Sequence, residues 1–352
     1  MRKILRMMLL ASTVVFTANT FAADINLTLA HTWPKGFPIF ATSVDDYANL
    51  VKEMSDGRIE IQVDSRNKHK AAFGIFDFVK SGQYDIGQSA SYYYTGKEPN
   101  ALFFSTMPFG MTALEQYAWF HEGGGLELAN EVYSNHGIEV MTGGNTTMQM
   151  GGWFRKEIKS IDDLKGIKMR IPGFGGKVMA GVGAIPTNLP AGELYQALER
   201  GTIDALEWVG PSLDLRMGFH KVAPYYYTGW HEPGTELMYF FNKKKMDSLP
   251  AWAQSILRNA AKLTGFNMTV ESEHESAENW STMLSDYPNI KVKNFPDEVI
   301  AALKKSNADL LSKSASADPM AKKILDSQAA YLKKVRAWTA IGEQSYLNNI
   351  AK

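Results

Sequence analysis

The chain has 352 residues, of which 45% are apolar, 12% aromatic and 21% charged; this suits a folded protein with room for two domains and is too apolar for disorder. Its 37 basic and 37 acidic side chains cancel, so it carries no electrostatic footprint for nucleic acid. The absence of cysteine excludes disulfides, thiolate nucleophiles, cysteine-based zinc or iron–sulfur sites and a lipidated-cysteine anchor.

Arg2, Lys3 and Arg6 precede an apolar stretch over residues 7–18, and Thr20-Phe21-Ala22 follows as a small-x-small cleavage site. This is the layout of a signal peptide. The apolar part falls short of the roughly 20 residues that span a bilayer. Its removal takes away three basic residues and leaves a slightly acidic product. No later run is long and apolar enough to span a membrane, so an exported, soluble protein is expected.

Residues 25–30 alternate polar and apolar side chains and predict a first strand, with His31, Thr32 and Trp33 at its end. Phe40, Val44, Tyr47, Ala48, Val51 and Met54 lie on one helical face, and Gly57 stands where a left-handed cap would fall. Ile59, Ile61 and Val63 alternate as a second strand, which completes a βαβ opening. A helix is expected over 71–82, then a short strand from Tyr84 that delivers Tyr92 and Tyr93 at its end. Their phenol hydroxyls could donate to a carboxylate or simply pack. Helices over 113–121 and 126–135 and a strand over 138–142 follow.

Residues 148–154 read as an apolar strand that contains one amide, Gln149, and a buried amide needs a partner. Ser160 is placed to cap a short helix. Ile167, Met169 and Ile171 then alternate on a strand that turns Arg170 to the opposite side. A glycine-rich segment and two short helices lead to a strand over 202–208 carrying Glu207 and Trp208 at its end. His231-Glu232-Pro233-Gly234 predicts a turn, and 236–241 a strand. Residues 250–287 contain no proline after Pro250 and keep helical apolar spacing, longer than most globular helices. The tail from 297 shows two helical patterns broken near Asp318-Pro319.

Gln149, Arg170, Glu207 and Glu232 are the polar residues set within or beside apolar strands. An arginine fork fits a carboxylate bidentately. Two carboxylates, an amide oxygen and a backbone carbonyl form an all-oxygen set for a hard cation such as Ca²⁺ or Na⁺. The rival reading makes Glu207 and Glu232 the acid and base of a glycoside hydrolase, with Trp208, Trp230 and residues 225–227 stacking sugars. Against catalysis, neither a G-x-S-x-G elbow nor an H-E-x-x-H helix is present, and the run from Gly173 to Gly183 lacks the ending of a phosphate-binding loop.

The segments SIDDLKGIKMRIPG and PAGELYQALERGTIDALEWVGP resemble the periplasmic substrate-binding subunits of TRAP (tripartite ATP-independent periplasmic) transporters, over at least residues 25–287. The resemblance implies an α/β, two-lobed periplasmic binding protein fold with crossing hinge strands over 149–154 and 236–241, a bracing helix over 250–287 and a helical tail. With the signal peptide taken as 1–22, it implies lobe I over 23–147 plus 238–265, lobe II over 148–237 plus 266–296, and a tail over 297–352 that favours a homodimer. Arg170 would clamp the ligand carboxylate, with Tyr92 and Tyr93 near it. Glu-Trp-Val-Gly-Pro at 207–211 and Gly-Trp-His-Glu-Pro-Gly at 229–234 are similar to the branch that takes 2-oxo and 2-hydroxy monocarboxylates together with a metal ion. Carried over, Gln149, Glu207, the Trp208 carbonyl and Glu232 would hold one Na⁺ or Ca²⁺. The expected protein is a receptor rather than an enzyme, handing a pyruvate- or lactate-like acid to a membrane permease. Its alternatives are a receptor for a dicarboxylate or sugar acid without metal, and the hydrolase.

Overall fold

The computed structural model describes residues 23–351, so the expected signal peptide lies outside the described residues. The strands in chain order are β1 (Ile25–His31), β2 (Ile59–Asp64), β3 (Ile86–Ala90), β4 (Ile138–Asn145), β5 (Gly152–Phe154), β6 (Lys168–Arg170), β7 (Ile185–Thr187), β8 (Ala205–Leu206), β9 (Tyr225–Tyr227), β10 (Glu236–Asn242) and β11 (Lys291–Lys293). They form a five-stranded sheet, β2-β1-β3-β10-β4, and a six-stranded sheet, β11-β9-β5-β8-β6-β7.

The first sheet follows from the opening periodicities. β1 pairs in parallel with β2 and β3. Leu27 and Leu29 of β1 meet Val44, Tyr47 and Val51 of helix Phe40–Met54 in one core cluster. β10 runs antiparallel between β3 and β4. As a central strand covered on both faces it is buried from Glu236 to Phe241, which explains a nearly continuous apolar run in place of alternation. In the second sheet, β6 sits in parallel between β7 and β8, and β5 is antiparallel to β8 and β9.

The chain crosses between the sheets from β4 to β5 through residues 146–151 and returns from β9 to β10 through 228–235. The two crossings lie side by side: Thr146 N donates to Thr235 O (3.0 Å), Gln149 N to Glu232 O (3.0 Å) and Gly151 N to Tyr227 O (2.7 Å). The approach is close enough that a Cβ on Gly229 would stand 1.9 Å from Gln149 O, so only glycine fits there.

Helix Ala251–Asp286 has 36 residues and is about 54 Å long. It packs on β4 and helix Phe40–Met54 beside the first sheet and on helix Pro211–Met217 beside the second. Its buried positions are mostly small, including Ala253, Ala260, Ala261, Gly265 and Ser272, which lets β4 come close to it at Gly143 and Gly144. At Gly144, φ is +120° and a Cβ would lie 2.2 Å from Met268 Sδ of this helix.

The tail comprises helices Asp297–Ala317, Pro319–Ile341 and Glu343–Asn349. Asp318 breaks the first two: its carboxylate accepts from Met320 N (2.9 Å), with Pro319 at the first helical position. The first tail helix packs on helix Gly173–Gly181, where Ser306 Oγ donates to Val178 O (3.0 Å). The second packs beside the first sheet, where Gln328 Nε2 donates to Phe103 O (2.7 Å) and Arg336 Nε to Glu115 Oε1 (2.6 Å). Among the described residues no helix is long and apolar enough to cross a membrane.

Several local expectations differ from the structure. Gln149 lies in the irregular crossing rather than on a strand, because the N–H groups of Thr146, Thr147, Gln149, Met150 and Gly151 go to scattered partners (Thr235 O, Asn145 Oδ1, Glu232 O, Val209 O and Tyr227 O) instead of one strand ladder. Ser91–Tyr94 form a 3₁₀ turn, so Tyr92 and Tyr93 are not on a strand end. The glycine-rich run holds helix Gly173–Gly181, and the strand over 202–208 is reduced to Ala205–Leu206. The helix over 71–82 is reduced to Ile75–Ser81, and the tail has three helices rather than two.

Candidate functional site

The site is built where the ends of β6 and β8 meet the two crossings. β6 delivers Arg170, and β8 runs directly into Glu207 and Trp208. Arg170 is 1% exposed. Its Nη1 donates to Glu207 O (2.6 Å) and Glu207 Oε2 (3.2 Å), and its Nε to Leu189 O (3.3 Å). Nη2 makes no hydrogen bond to the described residues. The guanidinium lies over the Trp208 ring at 5.1 Å. Held by two backbone carbonyls and a carboxylate, the fork keeps one orientation, with one nitrogen to spare.

The return crossing supplies His231 and Glu232, and the outgoing one Gln149; all three are buried. Ligand atoms of Glu207, His231 and Glu232 lie within 4.8 Å of one another. Thr235 Oγ1 donates to Glu232 Oε2 (2.6 Å), and Gln149 Nε2 donates to Thr146 Oγ1 (2.8 Å). Glu207 Oε1, Glu232 Oε1 and Gln149 Oε1 are buried acceptors with no hydrogen-bond partner. Each such orphan costs about 1–3 kcal/mol, more when charged. The carbonyls flanking that of Trp208 are both engaged: Glu207 O by Arg170, and Val209 O by Met150 N (2.8 Å).

The charges follow from enclosure. Burial pushes Glu207 up to about 8, a rise that the Arg170 charge limits. Burial and then the neighbouring Glu207 push Glu232 up to about 7. Burial lowers His231 to about 4, so its ring is neutral at pH 7. Tyr92 is raised well above its ordinary range by burial and then by Glu232, Tyr93 and Glu207, while Arg170 opposes. Burial also raises Tyr93. Both phenols therefore keep their protons and can donate.

Beneath this cluster Asp214, at the start of helix Pro211–Met217, accepts from Trp153 Nε1 (2.9 Å), Tyr226 OH (2.9 Å) and Val209 N (3.1 Å). These bonds pin the loop that carries Glu207 and Trp208. On the other side, Trp208 meets Phe37 edge-on (6.1 Å between centroids) and Phe40 (6.4 Å), both from the first half of the chain. Between the halves, Trp33, Tyr93, Pro190 and Trp208 leave a cavity of about 10 Å³, at the limit for a single water. This arrangement is closed.

Each residue read from the sequence as a site candidate thus lies in this region: Arg170, Glu207, Trp208, Glu232 and Gln149 in the cluster, and Tyr92 and Tyr93 at its edge. His231 was passed over as part of a turn, although it adjoins Glu232; its Nε2 is 3.7 Å from Glu207 Oε1. Thr235, Thr146 and Asp214 were also missed, because they act by orienting other side chains and carry no motif of their own.

A family model described as bacterial extracellular solute-binding protein, family 7, matches residues 29–318. A monocarboxylate 2-oxoacid-binding periplasmic protein of Nostoc sp. is 37% identical over 92% of this chain and 89% of its own length. A TRAP periplasmic solute-binding protein from Colwellia psychrerythraea, solved with bound calcium and pyruvate, is 56% identical, with TM-score 0.92, covering 93% of this chain and 99% of that one. Its counterpart from Pseudoalteromonas atlantica, solved with sodium and pyruvate, is 57% identical, with TM-score 0.91 and the same coverage.

Proposed function

This chain belongs to the bacterial extracellular solute-binding proteins of family 7, and from that premise we propose that it is the periplasmic receptor of a TRAP transporter for a small 2-oxo or 2-hydroxy monocarboxylate, held together with one Ca²⁺ or Na⁺. The observation that carries this reading is the set of three buried acceptor oxygens without donors, on Gln149, Glu207 and Glu232, beside an arginine with a spare nitrogen. Such a set suits a cation, which would supply positive charge to the two carboxylates and to the acid's oxygens. The Trp208 carbonyl, set between two engaged carbonyls, would complete the oxygen donors. Two ionised glutamates and Arg170 leave one net negative charge, and a monocarboxylate adds another. Ca²⁺ brings the enclosed site to neutrality, while Na⁺ leaves one negative charge for a retained proton to offset.

Arg170 binds the acid's carboxylate through Nη2 while Nη1 and Nε fix its plane. Tyr92 and Tyr93, protonated, donate to the same group. The walls of Trp33, Phe37, Phe40 and Trp208 exclude water, which strengthens every charge interaction inside and limits the acid to a small side chain. His231, neutral and packed against the Cα of Gly175, walls the cluster, its nitrogen being a softer donor than hard cations prefer. Release follows from hinge opening at the paired crossings, with 23–147 plus 238–265 as one lobe, 148–237 plus 266–296 as the other and 297–352 as the tail.

The receptor has no reaction of its own in this account: both glutamates are committed to charge balance. Trp338, Ile341, Tyr346, Leu347 and Ile350 expose an apolar surface at the end of the tail, which supports a homodimer formed through it. Metal analysis and native mass spectrometry of the protein purified without denaturation test the whole reading. About one cation per chain, with a small 2-oxo or 2-hydroxy acid released on denaturation, is expected. A co-purified dicarboxylate or sugar acid without metal would overturn the cation site.

A further inference from the structure

Arg66 stands at the seam between the two halves of the chain and is tied to neither. It opens the one-turn helix Arg66–His69, just after β2. Its N donates to Trp33 O (3.0 Å), which fixes its backbone beside the end of β1. With Trp33, Tyr93, Pro190 and Trp208 it lines the small cavity left between the halves, and it is the only charged residue there among the described residues. Across the seam, a Cβ on Gly192 would lie 3.5 Å from Arg66 Nη1 and 3.9 Å from Nη2, so the guanidinium rests on the lip of the second half. Among the described residues that guanidinium has neither an ion pair nor a hydrogen bond. Its neighbours in the first half share its sign. Lys35, Lys68 and Lys70 come from two adjoining loops, which are joined where Lys35 N donates to Asn67 Oδ1 (2.8 Å). Of these lysines only Lys68 has an ion pair among the described residues, with Asp64 (2.8 Å). The other acids of the rim, Asp45 beside Lys35 and Glu193 on the opposite lip, form none among the described residues. The rim is left positive, with Arg66 its one cation on the seam.

The interior beyond this rim offers an anion little attraction of its own, since ionised Glu207 and Glu232 outweigh Arg170 until a cation arrives. A charge at a narrow mouth reaches further than one on open surface, because low-dielectric walls focus its field. Here those walls are Trp33, Phe73, Pro190 and Trp208. We propose that Arg66 is the capture residue of the receptor: in the open protein its free guanidinium draws the acid's carboxylate into the cleft, and hinge closure then brings it against Gly192 without its joining the bound site. The inference rests on the proposed function for the identity of the acid and for the opening of the hinge. It carries a sign of its own, because one charge at the mouth speeds the acid and slows the cation.

Stopped-flow mixing of the full mature chain with pyruvate, in calcium and at low ionic strength, tests this through the fluorescence of Trp33 and Trp208 at the seam. Arg66→Ala should slow pyruvate association about twofold to threefold, and Arg66→Glu, which changes the charge by two, about fourfold to ninefold. Arg66→Lys should keep the wild-type rate, and the off-rate should stay within about twofold in all three. The differences should vanish as choline chloride raises the ionic strength to about 1 M, where the screening length is about 3 Å. Calcium alone, followed with a fluorescent chelator, should associate faster with Arg66→Glu than with wild type, a shift of opposite sign that lost packing would not produce. Unchanged pyruvate association in Arg66→Ala and Arg66→Glu would overturn the proposal, as would slowing that survives high salt. Slowing of both ligands alike would make Arg66 structural, and a change confined to the off-rate would make it a latch; either result would overturn capture. Failure of the wild-type protein to bind pyruvate would overturn the proposed function and capture together, whereas normal binding with indifferent variants overturns capture alone.

Discussion

Asp214 and Glu236 are as deeply buried as Glu207 and Glu232, and burial pushes all four up, to about 7 for Asp214 and about 8 for Glu236. What separates the pairs is donors. Asp214 receives an indole, a phenol and a backbone N–H; Glu236 receives Gly143 N (2.9 Å), Gly144 N (3.2 Å) and Asn145 Nδ2 (3.4 Å), where β4 and β10 meet. Glu207 and Glu232 each keep one oxygen with no donor. A fold that supplies donors to one pair of buried carboxylates and withholds them from another uses the first as structure and keeps the second for something that binds. Among these four carboxylates burial does not mark the site; the missing donor does.

The largest effect should come from Arg170→Ala. Leaving the acid's carboxylate buried without its charged partner costs about 2–5 kcal/mol, so pyruvate affinity by calorimetry should fall by about thirtyfold to several thousandfold. Wild-type affinity would refute the clamp. Next, Glu207→Gln and Asp214→Asn set the two pairs directly against each other. Glu207, at about 8, holds its proton at pH 7 without a cation, so glutamine mimics that state. Apo thermal stability should barely change, while calcium and pyruvate binding are lost together. Asp214→Asn should do the reverse, lowering stability by about 1–3 kcal/mol and leaving calcium affinity within several-fold. Calcium binding lost equally in both would erase the distinction.

A smaller effect is expected from pH. Glu207 and Glu232 have folded values near 8 and 7 against an ordinary 4.5, so between those limits the folded, cation-free protein holds more protons than the unfolded chain. Its stability should therefore fall as pH rises from about 5 to about 8. Asp214 and Glu236 contribute with the same sign. Thermal melts in chelator should show this slope, and calcium with pyruvate should cancel only the share belonging to Glu207 and Glu232. A stability rising with pH in chelator would contradict the buried-acid assignment. The smallest effect belongs to Thr235→Val, which removes the donor to Glu232 Oε2 and should weaken calcium binding by about fivefold.

What the sequence made legible was whatever depends on local periodicity. The β1–helix–β2 opening, the length of helix Ala251–Asp286 and the break at Asp318-Pro319 each follow from neighbours within a few turns. Arg170 stood out because an alternating strand singled it out. The cluster itself is different, since its two crossings are joined by Gln149 N to Glu232 O across more than eighty residues of chain. Nothing local announces that contact, and composition offered the glutamates only as oxygen donors. The metal set of Gln149, Glu207, the Trp208 carbonyl and Glu232 came from family resemblance. His231 escaped because a histidine before Glu-Pro-Gly reads as turn until the fold buries it. Gln149 was misplaced on a strand because an apolar run next to a central sheet looks extended, whatever its partner is.

The most direct test of the central claim is pyruvate calorimetry on protein stripped by chelator, repeated after calcium is restored. If the orphaned oxygens of Gln149, Glu207 and Glu232 hold the cation that completes the acid's site, stripped protein should bind pyruvate at least about a hundredfold more weakly, and calcium should restore binding with release of protons to buffer. Equal affinity with and without calcium would show that Arg170 holds the acid unaided and that the buried glutamates serve another purpose.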